Sequence, residues 1–297
     1  MSEKSHRNAW LSMTASMVIF GTIGIFRRYI PLSSALIAGL RGLLGAAALT
    51  IYNKIAHQRM ERIRGKKLLL LGIAGACVGL NWIFLFEAYN RTSVSIATLC
   101  YYMQPTIVML LSPAVFHERL TAVKGIGVLL SLLGMVLVSG VFDGQKTLHG
   151  SDFSGIAFGI TAALFYSCVV ILNKKITVLN TCQKTTIELG SAALVLLPYL
   201  LLTERFDAVT IMPFTVLMIL VVGLVHTALA YALYFAALPK LSAQSSALLS
   251  YIDPVSALIF SFLFLTERLT LSGLIGAVLI IGSAIVCEIS SVRKGYS

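Results

Sequence analysis

The chain is 297 residues long, 58% apolar and only 12% charged, with a mean hydropathy of +0.90. That leaves too little polar surface to coat a water-soluble globule, so the solvent of this protein is largely lipid. The formal net charge of +11 is dispersed through short gaps between apolar runs, which argues for topology signals and contact with anionic headgroups and against a nucleic-acid-binding face.

A spanning helix needs about 20 mostly apolar residues. In chain order that ruler predicts spans over residues 9–30, 32–53, 67–89, 93–116 and 121–141, then 153–173, 182–202, 212–236, 242–265 and 269–289. The polar, basic stretch 1–8 leads into an apolar run that lacks a small-residue cleavage site, so the first span is expected to be retained. The gaps are short, the longest being 54–66 and 142–152. Five cysteines (Cys77, Cys100, Cys168, Cys182 and Cys287) fall in or beside apolar runs without metal-ligand or redox spacing and read as small buried apolar residues.

Alternate gaps differ in charge. One side collects 16 lysines and arginines and the other 6, with Arg41 left inside the second span. Cytoplasmic loops carry the basic excess, so both termini are expected in the cytoplasm, which requires an even number of crossings.

The chain also repeats itself. Pro105 aligns with Pro254, and Glu118-Arg119-Leu120-Thr121 aligns with Glu267-Arg268-Leu269-Thr270, at a constant offset of 149 residues. The same offset pairs Phe86 with Phe235, Ser93 with Ser242, Tyr102 with Tyr251, Ser112 with Ser261 and Gly127 with Gly276. The expected architecture is therefore an all-α integral membrane protein of ten transmembrane helices in two inverted five-helix repeats. The divisions are a first repeat over 1–141, a connecting loop over 142–152 and a second repeat over 153–297. Five crossings per half turn the second half upside down relative to the first, the design of many secondary transporters with a central site between halves.

Two five-helix halves, each with a proline-centred fourth helix running into Glu-Arg-Leu-Thr, resemble the EamA-type transporters of the drug/metabolite transporter superfamily. The resemblance rests on Gln104-Pro105 through Thr121 and on Asp253-Pro254 through Thr270. It implies a multi-pass protein of the plasma (inner) membrane that exports or exchanges small organic metabolites, such as amino acids or amines, through a cavity lined by both halves. A lipid or lipid-linked substrate flippase is the alternative within that class, and a non-transporting membrane protein the alternative outside it.

Polar residues deep in spans are costly in hydrocarbon and by default face the bundle interior or a water path. Asp253, at the middle of the ninth span, reads as a substrate ligand or proton-coupling carboxylate, or as the cap of the helix that Pro254 begins; the two roles are compatible. Gln104 holds the equivalent place in the first half and offers hydrogen bonds in place of charge. Tyr101, Tyr102 and Tyr251 precede these two residues and can supply an aromatic, hydrogen-bonding wall. Asn81 and Trp82 in the third span, and His226 and Tyr231 in the eighth, complete the expected substrate-contacting set. Arg41 and Glu188 occupy comparable places in the two halves and are expected to pair with each other or to bind substrate charge. Glu87 and Arg91 are spaced to form an ion pair, and Thr121 and Thr270 to cap helices.

His226 has no second histidine or cysteine at ligand spacing, so no metal is expected, and no cofactor motif is present. Neither a nucleophile-base set nor a phosphate-binding loop occurs, so an enzyme and a nucleotide-driven pump are both disfavoured. The expected partners are a small-molecule substrate and the lipid bilayer, and nothing in the sequence requires more than one copy of the chain.

Overall fold

A computed structural model describes residues 3–59, 61–92, 94–118, 120–138, 150–176, 180–204, 212–265 and 270–295. Among them every regular element is helical. The first half holds α1 (Glu3–Arg28), α2 (Ser34–Ile55), α3 (Lys66–Arg91), α4 (Val94–Tyr101), α5 (Gln104–Phe116) and α6 (Ala122–Val138). The second holds α7 (Gly150–Lys175), α8 (Thr181–Thr203), α9 (Pro213–Gly223), α10 (Ala230–Ala237), α11 (Ala243–Ser250), α12 (Ile252–Leu265) and α13 (Leu271–Gly295). A π-helical turn, Leu224–Leu229, joins α9 to α10.

These elements make ten crossings. Eight helical stretches are long and apolar enough to span a membrane, and Ala122–Val138 and Leu271–Ser283 are shorter apolar helices that supply the other two. The fourth and ninth crossings are each built from two helices, α4 with α5 and α11 with α12. The prolines explain the breaks. Pro105 and Pro254 have no N–H to give the carbonyl four residues back, and α4 ends at Tyr101 and α11 at Ser250, the two residues whose carbonyls are left unserved. Helix starts carry side-chain caps: Ser33 accepts from the Leu36 N–H at 3.0 Å, Asn180 from Gln183 at 3.1 Å and Ser242 from Ser245 at 2.9 Å. The two expected threonine caps are present, Thr121 on the Lys124 N–H at 3.4 Å and Thr270 on Gly273 at 3.1 Å.

The outside of the bundle is an apolar belt, with Leu194 70%, Leu201 64% and Val278 65% exposed, as a lipid-facing surface requires. Cys168 is exposed on this surface and so is not a core residue as expected, whereas Cys77, Cys100 and Cys182 are half-buried. The packing repeats across the halves. Helix α3 lies on α7, and its counterpart α10 lies on α1; α2 packs on α8, and α6 on α13. Small residues allow the close approaches. A Cβ added at Gly79 of α3 would lie 2.7 Å from the Ala192 carbonyl of α8, so only glycine permits this helix spacing. At the α6–α13 seam, the Ser131 and Ser283 hydroxyls meet at 2.8 Å.

Two sequence expectations change at the ends of helices. Helix α1 starts at Glu3, well before the apolar run begins. Lys184, one of the 16 cations assigned to the side of the termini, is 2% exposed and so is not a solvated loop residue. Its ammonium donates to the carbonyls of Asn173 and Ile176 at 3.0 and 3.3 Å, which fastens the end of α7 to the start of α8. Glu267, Arg268 and Leu269 of the second Glu-Arg-Leu-Thr motif, Arg119 of the first and residues 142–149 of the connecting loop lie outside the described residues.

Candidate functional site: a cavity at the two helix breaks

The half-helices position the site. Ending α4 at Tyr101 and restarting the chain at Gln104 brings Tyr101, Tyr102 and Gln104 together at mid-depth, and the break before α12 does the same for Ser250 and Asp253. Around them lies a cavity of about 410 Å³, within the size range of small-ligand sites. Its walls come from both halves: Phe20 and Gly21 of α1, Arg41 of α2, Trp82 and Tyr89 of α3, Tyr166 of α7 and Tyr231 of α10.

The two breaks are tied to each other by exchanged hydrogen bonds. The Tyr102 hydroxyl donates to Asp253 Oδ2 at 2.9 Å, and the hydroxyls of Tyr251 and Thr106 meet at 2.7 Å. Each tyrosine is thus bound by the opposite repeat. Asp253 lies in the first turn of α12, where the helix dipole favours a carboxylate, and it also lines the cavity. Helix α12 begins at Ile252, so Asp253 stands inside its first turn and not at the cap position ahead of Pro254 that the sequence suggested.

Aromatic rings form the walls. Trp82 and Tyr231, which are related by the repeat offset, meet edge to face with centroids 6.3 Å apart. Phe20 packs on Tyr231 at 5.1 Å, and Tyr101 on Tyr166 at 5.9 Å. The Arg41 guanidinium lies over the Trp82 ring, 4.6 Å from its centroid.

Of the residues singled out from the sequence, Trp82, Tyr101, Tyr102, Gln104, Tyr231, Asp253 and Arg41 line this one cavity. The others do not. Asn81 turns away to donate to the Ala162 carbonyl at 2.8 Å and holds α3 to α7. Tyr251 lies in the seam between the breaks, bonded to Thr106. His226 sits in the π-helical turn, with Nε2 2.9 Å from the Thr22 hydroxyl and its ring against Phe26, between α1 and the eighth crossing. Glu188 is fully buried and its carboxylate oxygens have no hydrogen-bond partner. Among the described residues no ion pair joins Glu188 to Arg41, so the structure does not bring that expected pair together. Its neighbour one helical turn away is Lys184. The Glu87–Arg91 ion pair is present, and Glu87 also accepts from the Tyr199 hydroxyl at 2.7 Å. Sequence reasoning missed Phe20, Tyr89 and Tyr166; the only signal for them was an aromatic residue on a span that passes the two breaks.

The cavity is one-sided. The half of the bundle that bears the chain termini holds α5 and α11, and these two helices pack together. There the Glu118 carboxylate accepts from the Ala243 N–H at 2.7 Å, and the Gln244 side chain donates to the Ser112 hydroxyl at 3.0 Å. In the opposite half no comparable packing joins α4 to α12 among the described residues, and the cavity lies on that side.

Ten spanning helices around a polar and aromatic cavity that is closed at one end have the form of a membrane transporter. The model of the EamA-like transporter family matches residues 8–140 and 153–288. The chain belongs to this family, and it is a transporter of small molecules, not an enzyme. It is 30% identical over 281 residues to the uncharacterized transporter YxxF of Bacillus subtilis, covering 94% of this chain and 89% of that one. It is also 30% identical to a probable amino-acid metabolite efflux pump of Salmonella typhimurium, covering 94% of this chain and 93% of the pump. A crystal structure with 20% sequence identity superposes with a TM-score of 0.85 and covers 96% of this chain and 98% of its own, which extends the likeness of fold.

Proposed function

We propose that this protein is a secondary transporter that exports or exchanges small organic metabolites, such as amino acids or amines, by alternating access across the plasma (inner) membrane. The observation that carries the reading is the unequal packing of the two broken crossings. Inverted repeats have a second arrangement of nearly equal energy, reached by exchanging the roles of the halves. Among the described residues α5 packs on α11 and α4 has no comparable packing on α12, which is the asymmetry expected of one end of such a cycle. With the 16-to-6 excess of basic residues on the side of the termini, that side is cytoplasmic and the cavity opens outward. The repeats are 1–141 and 153–297, joined by 142–152.

The substrate site in this reading is formed by Arg41, Trp82, Tyr101, Tyr102, Gln104, Tyr231 and Asp253. Amino acids enter the proposal because the Salmonella relative is named for their efflux and because the cavity combines one carboxylate, one guanidinium and several rings.

Single cysteines placed at Tyr89 and at Ser246, in a background without native cysteines, test the alternation. The first lines the cavity, and the second is buried in the closed half. Labelling by an impermeant maleimide from the periplasmic side is expected at position 89 and absent at 246. A substrate gradient should lower the first and raise labelling of the second from the cytoplasmic side. Fixed accessibility at both positions under every gradient would exclude alternating access.

A further inference from the structure

The basic residues on the side of the termini are not evenly spread. Six of the chain's 23 lysines and arginines (Lys54, Arg59, Arg62, Arg64, Lys66 and Lys67) fall within residues 54–67, against one acid, Glu61. All six are exposed, and among the described residues Lys67 alone of them is in an ion pair, with Glu61 at 2.9 Å. The loop that carries them is held in place. The Asn180 side chain donates to Asn53 Oδ1 at 3.2 Å and to the Arg59 carbonyl at 3.4 Å. The Gln183 side chain donates to the Glu61 carbonyl at 2.8 Å and accepts from the Glu61 N–H at 3.0 Å. These bonds tie the loop between α2 and α3 to the start of α8, so its charges are presented together at one place.

An apolar groove runs along α3 from these charges. Gly65, Leu68, Leu69, Gly72, Ile73 and Ala76 line a depression of about 610 Å³, and spacings of three and four residues put them on one helix face. Leu68, Leu69 and Ile73 are exposed there, so the face turns to lipid. A Cβ added at Gly75 or Gly79 would strike the backbone of α8, whereas one added at Gly72 meets nothing within 4 Å. Packing within the protein therefore asks for glycine at 75 and 79 and not at 72, where the missing side chain leaves the floor of the groove open. From Gly65 to Ala76 the helix climbs roughly 16 Å, at about 1.5 Å per residue. That is close to half of a hydrocarbon core of about 30 Å, the depth of one leaflet.

We propose that this face binds one anionic phospholipid, whose phosphate is held among Arg62, Arg64 and Lys66 and one of whose acyl chains lies in the groove. Charge decides between the two occupants that a lipid-facing groove admits. A second copy of the chain packed here about a twofold axis would bring its own basic loop to the same depth, and like charges set together repel. A phosphate neutralises them instead. The site needs only the membrane-spanning fold and is independent of the cargo and the direction of transport.

The test is native mass spectrometry of the purified full-length protein in detergent, titrated with phosphatidylglycerol or with phosphatidylcholine of the same acyl chains. A lysine or arginine near the membrane surface is worth about fivefold in affinity for an anionic lipid, so the wild type should bind the first phosphatidylglycerol roughly a hundredfold more tightly than phosphatidylcholine. Combining Arg62→Gln, Arg64→Gln and Lys66→Gln should remove that preference. The same change of charge at Arg7, Lys175 and Lys240, which are exposed on the same side, should leave it within about twofold. Gly72→Leu, which fills the groove, should weaken both lipids by roughly tenfold, the worth of about two buried methylenes. Gly72→Ala should weaken them less, and it covers the case in which the larger side chain disturbs the helix. Inorganic phosphate and sn-glycerol 3-phosphate in large excess should not displace the lipid. The idea is overturned if the two lipids bind equally, if both charge variants lose the preference alike, or if both Gly72 variants bind as the wild type does. Displacement by the soluble phosphates would make this a site for a free anion, and a dimer that Gly72→Leu dissociates, without bound lipid, would give the face to a second copy; either result also overturns it.

Discussion

Glu118, at the end of the fourth crossing, receives the backbone N–H of Ala243, the first residue of α11, at 2.7 Å, and the adjacent Gln244 N–H at 3.2 Å. A carboxylate from one repeat thus caps the first turn of a broken helix in the other. Helix starts present unserved N–H groups and a positive dipole end, so this bond costs no other hydrogen bond and holds α5 against α11.

Removing that cap should open the closed half. Bonds to an ionised acceptor are worth about 1.5–3 kcal/mol, so Glu118→Ala should shift the balance between the two arrangements by roughly tenfold or more. The measurement is the rate of maleimide labelling of a cysteine at position 246 from the cytoplasmic side, which should rise by that factor. An unchanged rate would mean that α5 and α11 are held together by their apolar packing alone.

Tyr102 and Asp253 are expected to separate in their effects. Asp253→Asn removes the one carboxylate that lines the cavity and should abolish transport while leaving insertion intact. Tyr102→Phe removes a hydroxyl donor to that carboxylate and keeps the ring, at a cost of about 1–3 kcal/mol, so transport should fall by about tenfold without being lost. Initial rates of uptake into proteoliposomes, normalised to the amount of inserted protein, give both values.

The spans and the breaks were legible in the sequence for different reasons. Apolar runs of the right length mark each crossing, and Gln104-Pro105 and Asp253-Pro254 mark the two sites where a proline leaves a carbonyl unserved. The facing of individual side chains was not legible. In a membrane bundle a helix is apolar on its lipid side and on its packed side, so hydropathy does not say which way Asn81 or Trp82 turns, although they are adjacent; one bridges to Ala162 and the other lines the cavity. His226 is displaced for a further reason. It lies in a π-helical turn, and the extra residue per turn changes the face that a regular helical count assigns. The expected Arg41–Glu188 pair failed because equal depth in two halves says nothing about which neighbour each residue meets.

Lys184 and Glu188 should behave as a unit. They stand one helical turn apart on α8, and both are buried. Lys184→Met should destabilise the protein by about 1–3 kcal/mol, because it leaves the Asn173 and Ile176 carbonyls without their donor and removes the positive charge one turn from the buried Glu188 carboxylate. Adding Glu188→Gln should recover part of that loss. Thermal unfolding in detergent of the two single variants and the double variant completes the cycle. By contrast, exchanging Arg41 and Glu188 should rescue neither single variant.

Gly79→Ala should loosen the contact between α3 and α8, since the added Cβ would lie 2.7 Å from a backbone carbonyl that cannot move aside alone. The expected loss is about 1–3 kcal/mol, the range for overpacking, read as a lowered midpoint of thermal unfolding. Gly72 of the same helix has nothing within 4 Å of an added Cβ, so Gly72→Ala should leave the stability within about 0.5 kcal/mol of the wild type.

The most direct test of the transporter reading is uptake and counterflow by purified protein in liposomes, using pooled radiolabelled amino acids and small amines, with Asp253→Asn run beside the wild type. The wild type should accumulate label against a preloaded unlabelled pool, and the variant, inserted to the same extent, should not. Equal flux in wild type and variant would remove the cavity at the helix breaks from the transport path. No flux of any pool under either direction of pH gradient would contradict metabolite transport and bring a lipid-linked cargo forward.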